Sequence, residues 1–396
     1  MQVNGLILAD LHFGAIDPEE FQDQINTGLF RYIMDLDNKG ESLDYIIIAG
    51  DLFDTKETFS SIVVQKVIFT LFTMLFLTDK WATEIIIIEG TRTHDNMQLD
   101  TLNEIFSHMY DFYDSRITVV NNVSDDMIRG MKTLFIPEEY VLDKESYYRE
   151  WLSDPNKYDL IVGHGMIDKI WYANENKSNK NDLVKHLSSP VFTLEELLNA
   201  GNRCYFGHIH TNKAYGENGR FKYIGPYTRW EFGSTTKVGF YHLSFDTETK
   251  EFAETYIENE NAKNYPTVAL SINESITLTD LNDKLDSMLA EVYIKVRNIA
   301  KVRVVVNLSQ KVQNWQSIKD FLVSKFGDMN SVKFILTVEE NEELVEELKE
   351  TVQANRYVFD HSIDIPQRVQ LFIRNKSGRD IPIEKIRYYL GEVDKR

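Results

Sequence analysis

Five of the nine histidines lie in short polar segments that directly follow strand-like apolar runs. The carboxyl ends of neighbouring parallel strands meet in one crevice of an α/β sheet, so these segments are expected to lie close together. Imidazoles and carboxylates that converge in this way would form a metal site. The segments are Asp10-Leu11-His12, Gly50-Asp51-Leu52-Phe53-Asp54, Gly90-Thr91-Arg92-Thr93-His94-Asp95, Gly163-His164 and Gly207-His208-Ile209-His210.

The spacing within these segments suits metal coordination. Residues two apart in an extended chain point the same way, so Asp10 and His12 can face one ion, as can His208 and His210. Carboxylate and imidazole ligands without thiolate suit manganese, iron or zinc better than calcium or structural zinc. One carboxylate, such as that of Asp51, can bridge two ions about 3.5–4 Å apart, which is the arrangement used to hydrolyse phosphate esters.

Each segment alone is a weak signal. A single histidine after a strand is more often a packed core or surface residue, and Gly-Asp-x-x-Asp is a common helix-capping turn because Asp is a favoured N-cap. All five segments together, in order and each at a strand end, favour a metal centre. The glycines before Asp51, His164 and His208 allow a sharp turn and a close approach to a ligand.

Alternating strands and helices are predicted to position these segments. Val3–Ala9, Tyr45–Ala49 and Glu84–Ile88 are predicted strands, because β-branched residues and leucine dominate them, and helices are predicted at Pro18–Asp37 and Glu57–Lys80. This order indicates parallel pairing with right-handed crossovers. Later strands follow one another without long helices, which favours a second, mixed or antiparallel sheet. They are predicted at Ile117–Asn121, Thr133–Ile136, Leu160–Gly163, Arg203–Phe206, Lys222–Ile224 and Val238–Phe245.

The expected fold class is therefore α/β, a two-sheet sandwich flanked by helices. After Asn264 a compact β-α-β-α-β unit is predicted, which would form a small α+β domain. An acidic helix follows from Glu339 to Glu350, and its simplest interpretation is a solvated helix face. A C-terminal amphipathic helix carries Ile383, Ile386, Leu390 and Val393. These features divide the chain into residues 1–262, 263–338 and 339–396.

Composition restricts the class of protein. Of 396 residues, 27% are charged and 43% hydrophobic, which is typical of a folded soluble protein. The single cysteine, Cys204, excludes a disulfide scaffold and a thiolate zinc site, and it fits a reducing cytosol. No basic region precedes the first apolar run, so no signal peptide is predicted. The most apolar helical stretch, Ile68–Leu77, is too short to span a bilayer. We therefore expect a cytoplasmic protein with no membrane partner.

The net charge of −19 argues against a protein that coats nucleic acid by bulk electrostatics. The charge is uneven, because residues 356–396 hold nine basic and six acidic side chains. This distribution predicts that any binding to nucleic acid would need a partner and would weaken steeply as the salt concentration rises.

The order of the polar segments resembles the calcineurin-like metallophosphoesterase superfamily. A later segment, Tyr223-Ile224-Gly225-Pro226-Tyr227 with Phe232-Gly233 and Gly239-Phe240, resembles more narrowly the SbcD-type DNA repair nucleases and their bacteriophage counterparts. In that family a phosphoesterase domain precedes a small capping domain and a C-terminal segment that binds an SbcC-type coiled-coil ATPase. The motifs that carry the resemblance cover roughly residues 1–245, and beyond them it rests on length and domain order.

The resemblance implies a site for two divalent metal ions, with Mn²⁺ preferred and Mg²⁺, Fe²⁺ or Zn²⁺ as alternatives. The implied ligands of the first ion are Asp10, His12, Asp51 and His210. Those of the second are Asp51, His164 and His208. His94 matches the histidine that assists the leaving group, and Asp54 matches the carboxylate that orients this histidine. A histidine beside two metals that does not ligate them is also the natural general acid on chemical grounds.

One position departs from the family pattern. The family has Gly-Asn-His followed by an acid, and the asparagine carbonyl ligates the second metal, whereas here Thr91-Arg92-Thr93 separate Gly90 from His94. Thr93 stands directly before His94 and offers a neutral oxygen in place of the amide. Thr91, a water or Asn96 could also fill the gap. Arg92 would lie near the site, where its guanidinium could grip a phosphate or simply remain an exposed loop side chain.

The resemblance implies DNA as the substrate, with 3′-to-5′ exonuclease and single-strand endonuclease activities. Tyr223, Tyr227, Arg229 and Trp230 could line a strand-binding groove by stacking and phosphate contact, or they could form a packed β-edge. A homodimer is also implied, to which the apolar Ile62–Leu77 helix could contribute, although a buried core helix is the simpler interpretation. The residues by themselves indicate a phosphoester hydrolase.

Two other functions remain open from the sequence. One is a different enzyme of the same superfamily, such as a phosphatase or a cyclic-nucleotide phosphodiesterase, which would not need the long C-terminal extension. The other is a weakly active scaffold that organises an ATPase on DNA, an idea motivated by the missing asparagine.

Overall fold

The computed structural model describes residues 1–58, 60–95, 98–108, 116–141, 143–168, 191–309, 312–326 and 332–337, together with residues 370, 374, 382 and 383. The chain divides into two compact units, one of residues 1–268 and 286–303 and the other of residues 269–285 and 304–396. The predicted acidic helix and, apart from Ile383, the predicted anchors of the C-terminal helix lie outside the described residues.

Strands and helices alternate through most of the described chain. The strands are β1 Gln2–Leu8, β2 Tyr45–Ala49, β3 Glu84–Ile88, β4 Ile117–Val120, β5 Ser124–Ile128, β6 Met131–Ile136, β7 Tyr158–His164, β8 Met166–Ile167, β9 Val191–Phe192, β10 Gly201–Gly207, β11 Lys213–Tyr215, β12 Phe221–Tyr223, β13 Gly239–Asp246, β14 Phe252–Glu258, β15 Thr267–Ile272, β16 Arg303–Ser309 and β17 Val332–Thr337. The α-helices are α1 Pro18–Ile25, α2 Arg31–Asn38, α3 Ile62–Leu77, α4 Gln98–His108, α5 Lys144–Leu152, α6 Leu194–Ala200, α7 Leu278–Lys295 and α8 Trp315–Phe326. Short 3₁₀ turns lie at Asp79–Trp81 and Glu217–Gly219, and a π-helical segment lies at Asn26–Phe30.

Two six-stranded sheets form the centre of the first unit within the described residues. The first has the order β14-β13-β1-β2-β3-β4, with β1 to β4 parallel and β13 and β14 antiparallel. The second has the order β11-β12-β10-β7-β6-β5, in which β12, β10, β7 and β6 are parallel. The predicted two-sheet sandwich flanked by helices is therefore confirmed, with edge strands β5, β11 and β14 that the sequence patterns did not reveal.

The two-residue period of the central strands sends their side chains alternately into two cores. In β1, Val3 and Ile7 belong to the cluster between the sheets, whereas Leu6 and Leu8 pack against helices α1 to α3. A third cluster packs the other face of the second sheet against α5 and α6. The helices thus cover both outer faces and leave the strand ends to carry the polar loops.

Two predicted helices differ in their bounds from those observed. The region predicted as one helix at Pro18–Asp37 contains the π-helical segment between α1 and α2. The helix predicted from Glu57 begins instead at Ile62, because the Ser61 hydroxyl caps it by accepting a hydrogen bond from the Val64 N–H. None of the helices in the described ranges is both long and apolar enough to cross a bilayer.

The second unit contains most of a three-stranded sheet with the order β15-β16-β17, in which β16 and β17 are parallel. Val304, Val306 and Leu308 alternate toward a buried face of β16. Helix α8 contributes Ile318 and Leu322, which are also buried. The strands and helices predicted after Asn264 are present in this part of the chain.

Candidate metal centre

The loops that follow β1, β2 and β10 hold their polar residues in strained backbone conformations. Asp10, His12, Asp51 and His208 have φ values of +48°, +46°, +49° and +85°, although none of them is glycine. Such left-handed conformations cost energy and persist only where the surrounding structure imposes them, which is common at functional sites. Main-chain hydrogen bonds tie the first two loops together, from Asp10 N to Gly50 O (3.1 Å) and from His12 N to Asp51 O (3.0 Å).

A first cluster joins both sheets through one candidate ion site. Asp10, His12, Asp51 and His210 each place one ligand atom within 4.8 Å of the others. His12 Nε2 lies 3.1 Å from His210 Nε2 and 3.6 Å from Asp51 Oδ2. The loop after β10 thus brings His210 to three residues that follow β1 and β2. These four are the residues expected to hold the first ion.

A second cluster lies directly beside the first. Glu138, His164 and His208 place ligand atoms within 4.8 Å of one another. His164 Nε2 lies 3.3 Å from Asp51 Oδ2 and 3.4 Å from Glu138 Oε2, and His208 Nδ1 lies 2.9 Å from the same Glu138 oxygen. Asp51 Oδ2 therefore lies between His12 of the first cluster and His164 of the second. This is the position that a bridging carboxylate requires.

The backbone fixes which nitrogen of His164 faces the cluster. The His164 Nδ1–H donates to the carbonyl oxygen of Ala49 at 2.9 Å, which leaves Nε2 directed at Asp51 and Glu138. In many metal-bound histidines, a hydrogen bond from the ring nitrogen that does not face the metal sets the tautomer in this way. Gly50 and Gly207 make the approach possible, because a Cβ at either position would lie within 2.7 Å of His164 Nδ1. The glycines that precede ligand residues thus make room for an imidazole of the site itself.

The buried carboxylates and imidazoles of the site stabilise one another's charged forms against the cost of burial. Burial alone would raise the pKa of Asp51, but the nearby imidazoles of His164 and His12 outweigh it and hold that pKa well below its usual value. Burial would likewise raise the pKa of Glu138, and His208 and His164 lower it instead. Burial would lower the pKa of His164, yet Asp51, Glu138 and Asp10 raise it well above its ordinary value.

His94 and Asp54 differ from the predicted pairing. His94 Nδ1 hydrogen-bonds the main-chain carbonyl of Asp54, not its carboxylate. The Asp54 carboxylate faces His12 instead, with Oδ1 3.4 Å from His12 Nδ1, because the Asp54 N–H is held by Phe13 O in the neighbouring loop. The His94 ring lies edge-on to His12 with 4.9 Å between centroids. The main chain thus positions His94 beside the first cluster, and Asp54 orients a ligand histidine.

The loop that lacks asparagine folds into a tight turn. The N–H groups of His94 and Asp95 both donate to Thr91 O, at 2.8 and 3.0 Å, so that Arg92 and Thr93 project outward and are exposed. Thr93, which was considered from sequence as a substitute ligand, is thus exposed on this turn. Thr91 does reach it, since its N–H donates to Asp51 Oδ1 at 2.6 Å and its hydroxyl lies 3.2 Å from Asp51 Oδ2.

Glu138 is the site residue that the sequence patterns missed. It follows β6 and lies two residues beyond Ile136, which pairs with Gly163 next to His164. Ligands gather at the carboxyl ends of parallel strands, and this applies equally to Glu138, because β6 is parallel to β7 and ends at the same edge of the sheet. A carboxylate two residues past a predicted strand was the available signal.

Asp95 secures the loops around the cluster. It is fully buried and accepts hydrogen bonds from Phe53 N at 3.1 Å and Gly90 N at 2.9 Å. Burial, with a smaller contribution from the charge of Asp51, raises the pKa of Asp95 to about 7. The residue thus connects the loops that carry Asp51 and His94.

The candidate substrate contacts fall into two groups. Tyr227 is fully buried and its hydroxyl is hydrogen-bonded to Leu29 N and Gln24 O, so it is a core residue with no surface for DNA. The Arg229 side chain is 12% exposed; its Nε donates to Thr236 O at 3.1 Å, and a terminal nitrogen lies 4.0 Å from Glu258. Both were expected as substrate contacts, and both serve the packing of this loop instead.

Arg92 and Trp230 lie at the rim of the clusters. The exposed Arg92 guanidinium stacks on Tyr140 at 5.1 Å from the ring centroid, and the Tyr140 hydroxyl donates to Glu138 Oε1 at 3.2 Å. Trp230 is half-buried and contacts His12 and His210, with ring centroids 4.7 and 5.0 Å apart. These two side chains border the opening above the candidate ligands.

The donor set fits divalent metal ions. Asp10 Oδ2, His164 Nε2 and His208 Nδ1 are buried and, within the described part of the chain, no well-aligned hydrogen bond satisfies them, although carboxylate oxygens lie 3.3 Å from His164 Nε2 and 2.9 Å from His208 Nδ1. Buried polar atoms without partners are costly, and a cation facing carboxylate oxygens and imidazole nitrogens would satisfy them. Mixed oxygen and nitrogen donors without sulfur suit manganese, iron or zinc.

The calcineurin-like phosphoesterase family model matches residues 6–212, which include all seven candidate ligands, and the chain belongs to this family. Two similar solved structures are a predicted phosphoesterase from Streptococcus pneumoniae TIGR4 and the phosphopantetheinyl hydrolase of Mycobacterium tuberculosis. The first is 11% identical, with a TM-score of 0.27, and the match covers 66% of this chain and 92% of the other. The second is 13% identical, with a TM-score of 0.31, and covers 57% and 90%. No curated protein sequence matches the chain.

Proposed function

We propose that this chain is the metal-dependent nuclease subunit of an SbcCD-type DNA repair or recombination complex. One observation carries the hydrolytic part of this proposal: Asp51 Oδ2 lies 3.6 Å from His12 Nε2 and 3.3 Å from His164 Nε2, so that one carboxylate joins two clusters of ligands. Family membership supports phosphoester hydrolysis. The proposed reaction is hydrolysis of DNA phosphodiesters, by 3′-to-5′ exonuclease and single-strand endonuclease activities.

The residues of the chain would divide the work of hydrolysis. Two bound divalent ions, Mn²⁺ by preference, would supply hydroxide near neutral pH and neutralise charge on the phosphate. His94 donates through Nδ1 to the Asp54 carbonyl, which leaves Nε2 as the nitrogen that can give a proton to the leaving oxygen. Trp230, which packs against His12 and His210, offers an aromatic face for a base at the entrance.

The remaining parts of the proposal concern partners. The C-terminal residues 339–396 would dock on an SbcC-like coiled-coil ATPase, which would provide most of the affinity for DNA that a chain of net charge −19 lacks. A homodimer is supported by helix α3, which buries Val67 and Leu71 but exposes Phe69 by 52% and Phe76 by 81%. Phe69 and Phe76 are seven residues apart and so lie on one face of the helix, where exposed apolar side chains favour a protein contact.

A manganese-dependent cleavage assay on short single-stranded DNA tests the proposal. Wild type should cleave, whereas His94→Ala should lose at least about 100-fold in rate, because general acid catalysis contributes that much. Asp51→Ala should lose at least as much, because it removes the carboxylate that joins the two clusters of ligands. The same variants should be compared on a cyclic nucleotide and on a phosphomonoester. A preference for either of those substrates would favour another phosphoesterase, and cleavage of DNA that survives both substitutions would reject the site.

Deletion of the residues after Phe372 tests the partner. The truncated chain should retain cleavage of short single strands and should no longer co-purify with the ATPase. Retained co-purification would contradict the proposed docking segment. Absence of cleavage with every metal by the folded full-length chain would favour the scaffold function.

A further inference from the structure

Glu138 lies where the second cluster needs a ligand that the loop after β3 does not supply. Its main-chain N–H donates to Glu89 O at 3.1 Å, which anchors it beside Gly90, the residue at which the altered loop begins. The side chain is buried, and its Oε2 faces His208 Nδ1 at 2.9 Å and His164 Nε2 at 3.4 Å. The loop itself turns Thr93 to the solvent.

The two oxygens of Glu138 have different surroundings. Oε1 accepts the Tyr140 hydroxyl at 3.2 Å, which fixes the plane of the carboxylate. Oε2 shares the Thr91 hydroxyl with Asp51 Oδ2, each at 3.2 Å, so this hydroxyl lies between the two acids. It can donate its single hydrogen to only one of them at a time. Oε2 is therefore directed, with Asp51, at the same point between the imidazoles.

We propose that Glu138 is a ligand of the second metal ion in this chain and replaces the amide oxygen that the loop lacks. The second ion would then be held by Asp51, Glu138, His164 and His208, a set of two carboxylates and two imidazoles. Hard oxygen donors with imidazole suit Mn²⁺ or Fe²⁺, and the additional negative charge strengthens binding of a cation. The inference deepens the proposed function, but it requires only that the chain bind two ions.

Binding of Mn²⁺ alone to the full-length chain, measured by equilibrium dialysis and titration calorimetry without any substrate, tests the ligand role. Wild type should bind two ions. Glu138→Gln should weaken the second ion by at least about tenfold, within the range seen when metal sites lose supporting groups, and Glu138→Ala should lose it. Glu145→Gln is the matched control, because the Glu145 side chain is 91% exposed on α5.

Two ions bound with unchanged affinity in both Glu138 variants would overturn the proposal. Crystals soaked in Mn²⁺ provide a second measurement, in which anomalous scattering should place an ion about 2.0–2.2 Å from a Glu138 oxygen. An ion held by His164 and His208 with Glu138 beyond coordination distance would also overturn it. Thermal unfolding without metal shows whether each variant is folded. If two ions bind as expected but DNA is not cleaved, the ligand assignment stands and the nuclease proposal fails.

Discussion

The contacts of the buried Tyr227 hydroxyl allow a quantitative prediction about helix α1 and the π-helical segment that follows it. The hydroxyl donates to Gln24 O at 3.0 Å and accepts from Leu29 N at 3.1 Å, so it is inserted into the helical hydrogen-bond ladder. Gly28 lies against it, and a Cβ on Gly28 would be 2.4 Å from the hydroxyl oxygen. We expect Gly28→Ala to destabilise the protein strongly and Tyr227→Phe to relieve that cost.

The magnitudes follow from the contacts. Displacing the Tyr227 hydroxyl breaks two hydrogen bonds worth about 1 kcal/mol each, and overpacking adds about 1–3 kcal/mol. Alanine regains about 1 kcal/mol over glycine inside a helix, so Gly28→Ala should cost about 2–4 kcal/mol. In the Tyr227→Phe background the nearest remaining atoms are 3.5 Å and 3.6 Å away, which is ordinary contact. There the same change should be neutral or stabilising by up to about 1 kcal/mol.

Thermal unfolding of the two single variants and the double variant measures this coupling. At roughly 2 °C per kcal/mol for a unit of this size, Gly28→Ala should lower the midpoint by about 4–8 °C, and the double variant should match or exceed Tyr227→Phe. Tyr215→Phe is the control, because the Tyr215 hydroxyl has no hydrogen bond to the described residues. Equal costs of Gly28→Ala in both backgrounds would refute the reasoning. DNA cleavage lost in Tyr227→Phe without loss of stability would restore the substrate role.

Three further predictions concern the site and its surroundings. Removal of bound metal by a chelator should lower the unfolding midpoint, because an ion at 100 times its dissociation constant contributes about 2.7 kcal/mol; identical midpoints with and without Mn²⁺ would contradict this. Trp230→Ala should raise KM for single-stranded DNA about tenfold, as expected from one lost stacking contact, while hydrolysis of a small chromogenic phosphodiester should fall much less, through the space left beside His12 and His210; equal losses on both substrates would reject a stacking role. Phe76→Glu should convert a dimer to monomers in light scattering, whereas Met127→Glu, at another exposed apolar side chain, should not; an unchanged mass for Phe76→Glu would exclude this face of α3.

The strand ends were predictable because they depend only on local apolar runs and on the parallel pairing of neighbouring strands. Apolar runs placed β1, β2, β3, β7 and β10 to within two or three residues, and parallel pairing then brought their carboxyl ends together. The grouping of Asp10, His12 and Asp51 followed directly, since short loops leave little freedom. Three of the four edge strands were harder: β5 carries mostly exposed polar residues, β11 has only three residues, and β14 is only partly buried.

The features that the sequence did not reveal depend on contacts between distant residues. Glu138 reaches the cluster only through the register of β6 and β7, and its neighbour Glu139 is equally acidic but bonds Val123 N. The partner of His94 is a main-chain carbonyl, which no side-chain pattern encodes. Tyr227 and Arg229 lie in a loop with aromatic and basic residues, a composition typical of both a groove and a packed edge. Burial separates these two possibilities.

Glu138 as a ligand lowers the net positive charge that the metal site would present to a phosphate. Asp10, Asp51 and Glu138 are buried carboxylates, and with Glu138 as a ligand they cancel three of the four positive charges that two divalent ions bring. A site with an amide in place of Glu138 would keep one more positive charge toward the phosphate. The present arrangement therefore holds its ions more firmly but attracts a polyanion less strongly. On a chain of net charge −19, the proposed DNA substrate would be held mainly by the proposed ATPase partner, and we predict that binding by the isolated subunit is weak and steeply dependent on salt.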